Sequence, residues 1–156
     1  MKPIHLLYRI AQNLRMLWWR IARPTVHGVK IIALRNRREV LLVRHSYQSP
    51  DTFMLPGGGI AKGEDGAIAA ARELIEETGC RIDDLALHGQ FLDTSKGAQS
   101  HIAVYIGATR DEPRCDGREI IDARFFPLDA LPEKVSAPSA RRIAEIGTGS
   151  GFGPDW

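Results

Sequence analysis

The sequence predicts an α/β (α+β) fold, a mixed β-sheet sandwiched between helices, with an extra amphipathic helix at the N-terminus. Three observations carry this expectation. At 156 residues the chain has the length of one domain, enough to bury roughly 68–70% of the surface its unfolded form exposes. Its 44% apolar and 26% charged residues show none of the depletion of bulky side chains that marks disorder. Runs of β-branched and apolar residues then alternate with stretches of helical period in the order strands, helix, strands, helix. That order suits a sheet with helices on its faces and leaves strand order open.

From Ile4 to Ala22, helical spacing gathers Leu7, Ile10, Leu14, Leu17, Trp18 and Ile21 on one face, which predicts an amphipathic basic helix over residues 1–24 that stops at Pro24. Arg9, Arg15 and Arg20 break each apolar run before it reaches the length of a signal-peptide core or a membrane span. Neither export nor a spanning helix is expected. The apolar face predicts docking on the domain or on a second copy in a homodimer; the alternative is a peripheral membrane contact, with the arginines at anionic headgroups.

Val26–Leu34 and Val40–Arg44 read as a hairpin about the polar Asn36-Arg37-Arg38. Residues 45–65 hold Pro50, Pro56 and the triplet Gly57-Gly58-Gly59 and read as a loop. Gly66–Thr78 is a run of good helix formers closed by Gly79, the residue favoured at a left-handed C-terminal cap. Leu85–Asp93, His101–Thr109 and Ile120–Phe126 have strand patterning, and Ser136–Ile146 has helical patterning. The domain is therefore expected over residues 25–147, followed by a flexible, glycine-rich tail over 148–156.

Lys and Arg number 21 against 19 Asp and Glu, a net charge of +2, so nothing in the overall balance asks for a nucleic-acid partner and none is expected. The distribution is uneven. Residues 1–30 contain no acid, while Glu64 to Glu77 is strongly acidic. The two cysteines, Cys80 and Cys115, form neither a disulfide framework nor a CxxC motif, which fits a reducing, cytoplasmic setting.

On a helical wheel Glu73, Glu76 and Glu77 share one narrow arc beside Ala67, Ala70, Ala71, Leu74 and Ile75. Like charges at these spacings cost roughly 0.2–0.5 kcal/mol per pair, and no lysine on the arc offsets them. A hard divalent cation such as Mg²⁺ would, because it takes oxygen ligands from a few carboxylates and completes its sphere with water and phosphate. The glycine triplet would let backbone approach a metal or phosphate closely. The plainer reading is a solvated acidic face beside a flexible turn.

Taken together these residues match a known pattern. Gly58, five residues, Glu64, seven residues, then Arg72-Glu73-Leu74-Ile75-Glu76-Glu77-Thr78-Gly79 resembles the Nudix box, with Cys80 standing where that family usually has an aliphatic residue. The resemblance implies a Nudix-like mixed sheet and a Mg²⁺-dependent pyrophosphohydrolase, with Mn²⁺ as a substitute. Its substrate would be a nucleoside triphosphate, or a nucleoside diphosphate linked to another group, cut at a phosphoanhydride bond by water. Glu73, Glu76 and Glu77 would be metal ligands or base, and the Gly57 carbonyl a further ligand. Arg72 and Glu64 would pair to hold loop and helix together.

Outside the box, the segment from Glu119 to Leu128, followed by Leu131-Pro132, looks like the one that carries an extra catalytic or metal-binding glutamate in many Nudix enzymes. Glu119 is the candidate, against the plainer reading of a strand-edge residue. The general base stays open among these carboxylates. Arg44, His45, Phe53 and Gly58 are the expected substrate contacts, with Arg35, Tyr47, Lys96 and His101 nearby in sequence or in flanking loops. Markers of ADP-ribose, NADH or coenzyme A cleavage are absent. Two rivals keep the fold: a non-catalytic nucleotide sensor, and an isopentenyl diphosphate isomerase, for which neither cysteine has the expected context.

Overall fold

The computed structural model describes residues 11, 14, 25–47, 49–95, 99–115, 117–148 and 153–156. Except at 11 and 14, the helix expected over residues 1–24 lies outside the described residues, as does Lys96. No helix among the described residues is long and apolar enough to cross a membrane.

The elements follow the predicted order: β1 (Thr25–Arg35), β2 (Glu39–His45), α1 (Gly66–Thr78), β3 (Asp83–Asp93), β4 (Gln99–Ala108), β5 (Ile120–Pro127) and α2 (Ala137–Thr148). The strands form one sheet in the order β3-β4-β1-β2-β5. β1 runs parallel to β4 and the other neighbours are antiparallel, so the sheet is mixed as expected. Asn36 and Arg37 turn the first hairpin with φ of 51° and 56°, the left-handed pair that matches strand twist. α1 starts at Asp65, whose side chain accepts from the Ala67 and Ile68 amides, and ends at Gly79 with φ 71°. Both caps use the residues best suited to them.

Alternation along β1 and β2 divides their apolar residues between two cores. Val29, Ile31, Ala33 and Leu41 pack with Ala69, Ala70, Leu74 and Cys80 on the α1 side. Ile32, Leu34, Val40 and Leu42 pack with Phe53, Leu55, Phe91 and Ile143 on the α2 side. Burial on both faces explains why these strands read as nearly continuous apolar runs. Cys80, the departure from the box, is fully buried as a small apolar filler.

Part of the expected loop over 45–65 behaves differently. β1 and β2 pair only at Leu34↔Val40 and Arg35↔Glu39, and beyond that point residues 54–58 enter between them. Met54 exchanges two backbone hydrogen bonds with Val43, both 2.9 Å, while Ile31 donates to the Pro56 carbonyl and Val29 to that of Gly58, at 3.0 and 2.9 Å. Proline and two glycines mask this inserted segment in the sequence. The end of the chain is a second difference. The expected flexible tail has a fixed place over its last four residues, because Leu92 on the edge of β3 donates to Pro154 and accepts from Trp156, whose ring lies against Phe91.

The inserted segment depends on Gly57. Its φ is 131°, and a Cβ there would stand 2.2 Å from the Val29 carbonyl oxygen, whereas a Cβ on Gly58 would meet only the carboxylate end of Glu73. Gly57→Ala should therefore cost at least about 2–3 kcal/mol in urea unfolding. Gly58→Ala should cost under about 1 kcal/mol, because a flexible side chain can move aside; equal losses in the two variants would refute this account of the segment.

Candidate active site

The box helix delivers its three glutamates to unequal environments. Glu77 is buried, Glu73 is half-buried and the Glu76 side chain is 59% exposed. Arg72 is the hub that orders them. Its guanidinium makes two bonds to Glu64, Nε to Oε1 at 2.8 Å and Nη2 to Oε2 at 2.9 Å. Nη1 donates to Glu73 at 2.7 Å and Glu76 at 3.2 Å, and Nη2 also reaches the Gly59 carbonyl at 3.1 Å. Glu64 in turn accepts the Ala61 amide at 2.8 Å. Hydrogen bonds from Arg72, then from Ala61, lower the Glu64 carboxyl to about 2, so Glu64 stays ionised beside Arg72.

Glu77 is tied to the inserted segment, its Oε2 accepting the Gly57 amide at 2.8 Å. Burial raises its carboxyl to about 7, against the pull of Lys30 and of the Gly57 amide. Glu73 is also raised, chiefly by burial, with Arg72 opposing. Two of the three helix acids thus hold their charge at a cost that a nearby cation would relieve.

Glu119 arrives from another element. It sits just before β5, where the β2–β5 register shifts at Arg44/His45, and its Oε1 accepts the Tyr47 hydroxyl at 2.6 Å while its carbonyl accepts the Ser46 amide at 2.9 Å. Glu73, Glu76, Glu77, Glu119 and Ile120 line one open pocket. Among the described residues no three His, Cys, Asp or Glu side chains already converge as a finished coordination sphere; the helix carboxylates are turned onto Arg72 and Gly57. The donor set nevertheless fits a hard divalent cation, being all oxygen, anionic and partly buried.

The expected substrate contacts separate. His45 is buried on the acid side, with Nε2 3.7 Å from Glu77 Oε1 and its ring edge-on to Tyr47 at 5.3 Å. Burial, then Lys30, lowers it to about 3, so it is a neutral imidazole behind the carboxylates and forms no ion pair. Gly58 offers its carbonyl to β1 and packs against Glu73. Arg44 projects to the α2 side, where it pairs with Asp122 at 2.8 Å and lies over Phe53. Phe53 itself is a core residue edge-on to Phe126. Arg35 binds Glu39 and Glu112 at the far end of β1, and His101 stacks on His27. Sequence reasoning missed Lys30, whose Nζ donates to Gly57 O at 2.9 Å and Leu55 O at 3.1 Å. Its signal was a lone lysine inside an apolar strand.

Fold and acidic helix together define the class. The NUDIX domain model matches residues 24–146, and the chain belongs to the Nudix family. It is 43% identical over 117 residues to an uncharacterised Nudix hydrolase of Pseudomonas aeruginosa, a match covering 71% of this chain and 69% of that one. It is 28% identical over 125 residues to an NAD-capped RNA hydrolase of Vibrio atlanticus, covering 78% of this chain and 45% of the relative; the chain thus spans about half the length of such relatives. Its fold is similar to that of the MutT NUDIX hydrolase from Burkholderia pseudomallei, with a TM-score of 0.68 at 23% identity, covering 78% of this chain and 98% of that one.

The buried Glu77 carboxyl gives a pH signature. With its folded value near 7 above its unfolded value, the protonated form stabilises the fold below about pH 4.5, and this contribution is lost as pH rises through 7. Glutamine cannot ionise, so in chelator the melting temperature of Glu77→Gln relative to wild type should rise by several degrees from pH 5 to pH 8. His45 runs the opposite way in both proteins, and its contribution largely cancels in the difference. A difference that stays flat across this range would show that Glu77 is not buried as described.

Proposed function

We propose that this protein hydrolyses a phosphoanhydride bond in a nucleotide-type small molecule, a nucleoside triphosphate or a nucleoside diphosphate linked to another group, using Mg²⁺ or Mn²⁺. The observation that carries this reading is the meeting of Glu73, Glu76 and Glu77 from one helix with Glu119 from another element around one open pocket. The Gly57 carbonyl beside it supplies a backbone oxygen of the same hard character. Similarity to proteins named as NAD-capped RNA hydrolases supports a substrate with a nucleotide-linked phosphoanhydride.

Glu73, Glu76, Glu77 and Gly57 O are the proposed metal ligands. When bound, the cation would neutralise anhydride oxygens and make coordinated water more acidic. The protein's own groups do the rest. Arg72 tethers Glu73 and Glu76 beside the pocket by a rigid fork anchored on Glu64, and the two carboxylates would turn from it toward the cation. Tyr47 restrains Glu119, which lines the pocket with the helix acids from just before β5 and is the group we assign to take a proton from the attacking water. Glu77, with its carboxyl near 7, is the other candidate for that role.

The test is incubation of purified protein with Mg²⁺ and a panel of nucleoside triphosphates, dinucleoside polyphosphates and nucleotide sugars, with products identified by mass. Cleavage of at least one class is expected, with kcat/KM lowered about 10²-fold or more in Glu76→Gln and in Glu119→Gln. Binding of nucleotides without cleavage would instead favour a nucleotide sensor built on the same fold.

A further inference from the structure

Lys30 interrupts the apolar run Val29–Leu34, and alternation puts its side chain on the α2 side with Ile32. From there the ammonium reaches the inserted segment and donates to two of its carbonyls, Gly57 O at 2.9 Å and Leu55 O at 3.1 Å, in a partly buried setting. Gly57 is held by its other polar group as well, its amide bound to Glu77. One glycine residue is thus gripped by a carboxylate and an ammonium, and the carbonyl that Lys30 holds is the oxygen assigned to the metal above. The other cation of the cluster, Arg72, is bound to Glu64.

A divalent cation on Gly57 O would stand within a few ångström of this ammonium. In a partly buried site two cations sharing one oxygen repel strongly, since the effective dielectric is well below that of water. We propose that Lys30 is a placeholder cation: it occupies the Gly57 carbonyl and offsets the acidic site in the metal-free protein, and a divalent metal must displace it to bind. This rests on the metal-dependent reading of the same site.

The test uses the full chain, stripped with chelator and titrated with Mn²⁺, with free Mn²⁺ followed by electron paramagnetic resonance and melting temperature recorded alongside. Lys30→Met should bind Mn²⁺ about tenfold more tightly or better, the competing charge having gone, and should gain more in melting temperature on saturation than wild type. Lys30→Arg, which keeps the charge, should stay near wild type. Lys30→Gln, neutral yet still able to donate to the carbonyls, should also tighten, and it carries the test should Lys30→Met not fold. Wild-type binding with equal or weaker binding in both neutral variants would overturn the proposal and make Lys30 a support for the metal-binding carbonyl. Failure of wild type itself to bind Mn²⁺ would bring down the metal-dependent reading, and this inference with it.

Discussion

The segment over residues 54–58, inserted between β1 and β2, is the constraint on which the rest of the site depends. Two neighbouring strands that separate leave rows of unpaired amides and carbonyls, which are costly when buried. Here those groups are satisfied by the insertion: Val29 and Ile31 on one side, Val43 on the other. The two helices then pin it from opposite faces. Ser139 of α2 accepts the Leu55 amide at 3.0 Å, and Glu77 of α1 accepts that of Gly57 at 2.8 Å. The glycine backbone is thereby brought into the middle of the sheet and against the acidic helix at once, and only a residue without a side chain fits between Val29 and Glu77.

The electrostatics follow from that placement. Bringing α1 over the split buries Glu77 and partly buries Glu73, and burial of a carboxylate is tolerated only where partners replace water. Arg72 supplies one partner set and the Gly57 amide and Lys30 another. Arg72 is about a third exposed, so its pairs contribute little net stability once solvent screening is counted. Their value is geometric. A planar fork bound to Glu64, Glu73, Glu76 and the Gly59 carbonyl gathers the helix acids at one end of the pocket.

Much of this was legible in the sequence because it is local. Asp65 and Gly79 bracket α1, the spacing of Glu73, Glu76 and Glu77 puts them on one face, and Arg72 with Glu64 falls in a pattern with a known partner set. What escaped is long-range. Residues 54–58 carry a proline and glycines, the opposite of strand signals, and their pairing is set by β1 and β2 on either side. Lys30 lies 27 positions from the carbonyl it holds, a distance across which periodicity says nothing. For Arg44 and His45 the signal is in the sequence itself: adjacent residues in a strand point to opposite faces, so only one of them can face the glycine loop. Trp156 followed a glycine-rich stretch that suggested mobility, yet the free edge of β3 gave its backbone a partner.

In the site proposed above, the box helix by itself supplies only part of the lining, and Glu119 supplies the rest. Three carboxylates on one helix define a single wall, and a phosphoanhydride needs groups on more than one side if water is to be positioned opposite a leaving phosphate. The second wall comes from the bulge at Arg44/His45. The extra residue, Ile121 on β5, locally breaks the β2–β5 ladder, and Glu119, tethered by Tyr47 and by the Ser46 amide, comes to the rim of the pocket. The pocket therefore exists where two irregularities of one sheet coincide, the split between β1 and β2 and the bulge between β2 and β5, with β2 common to both.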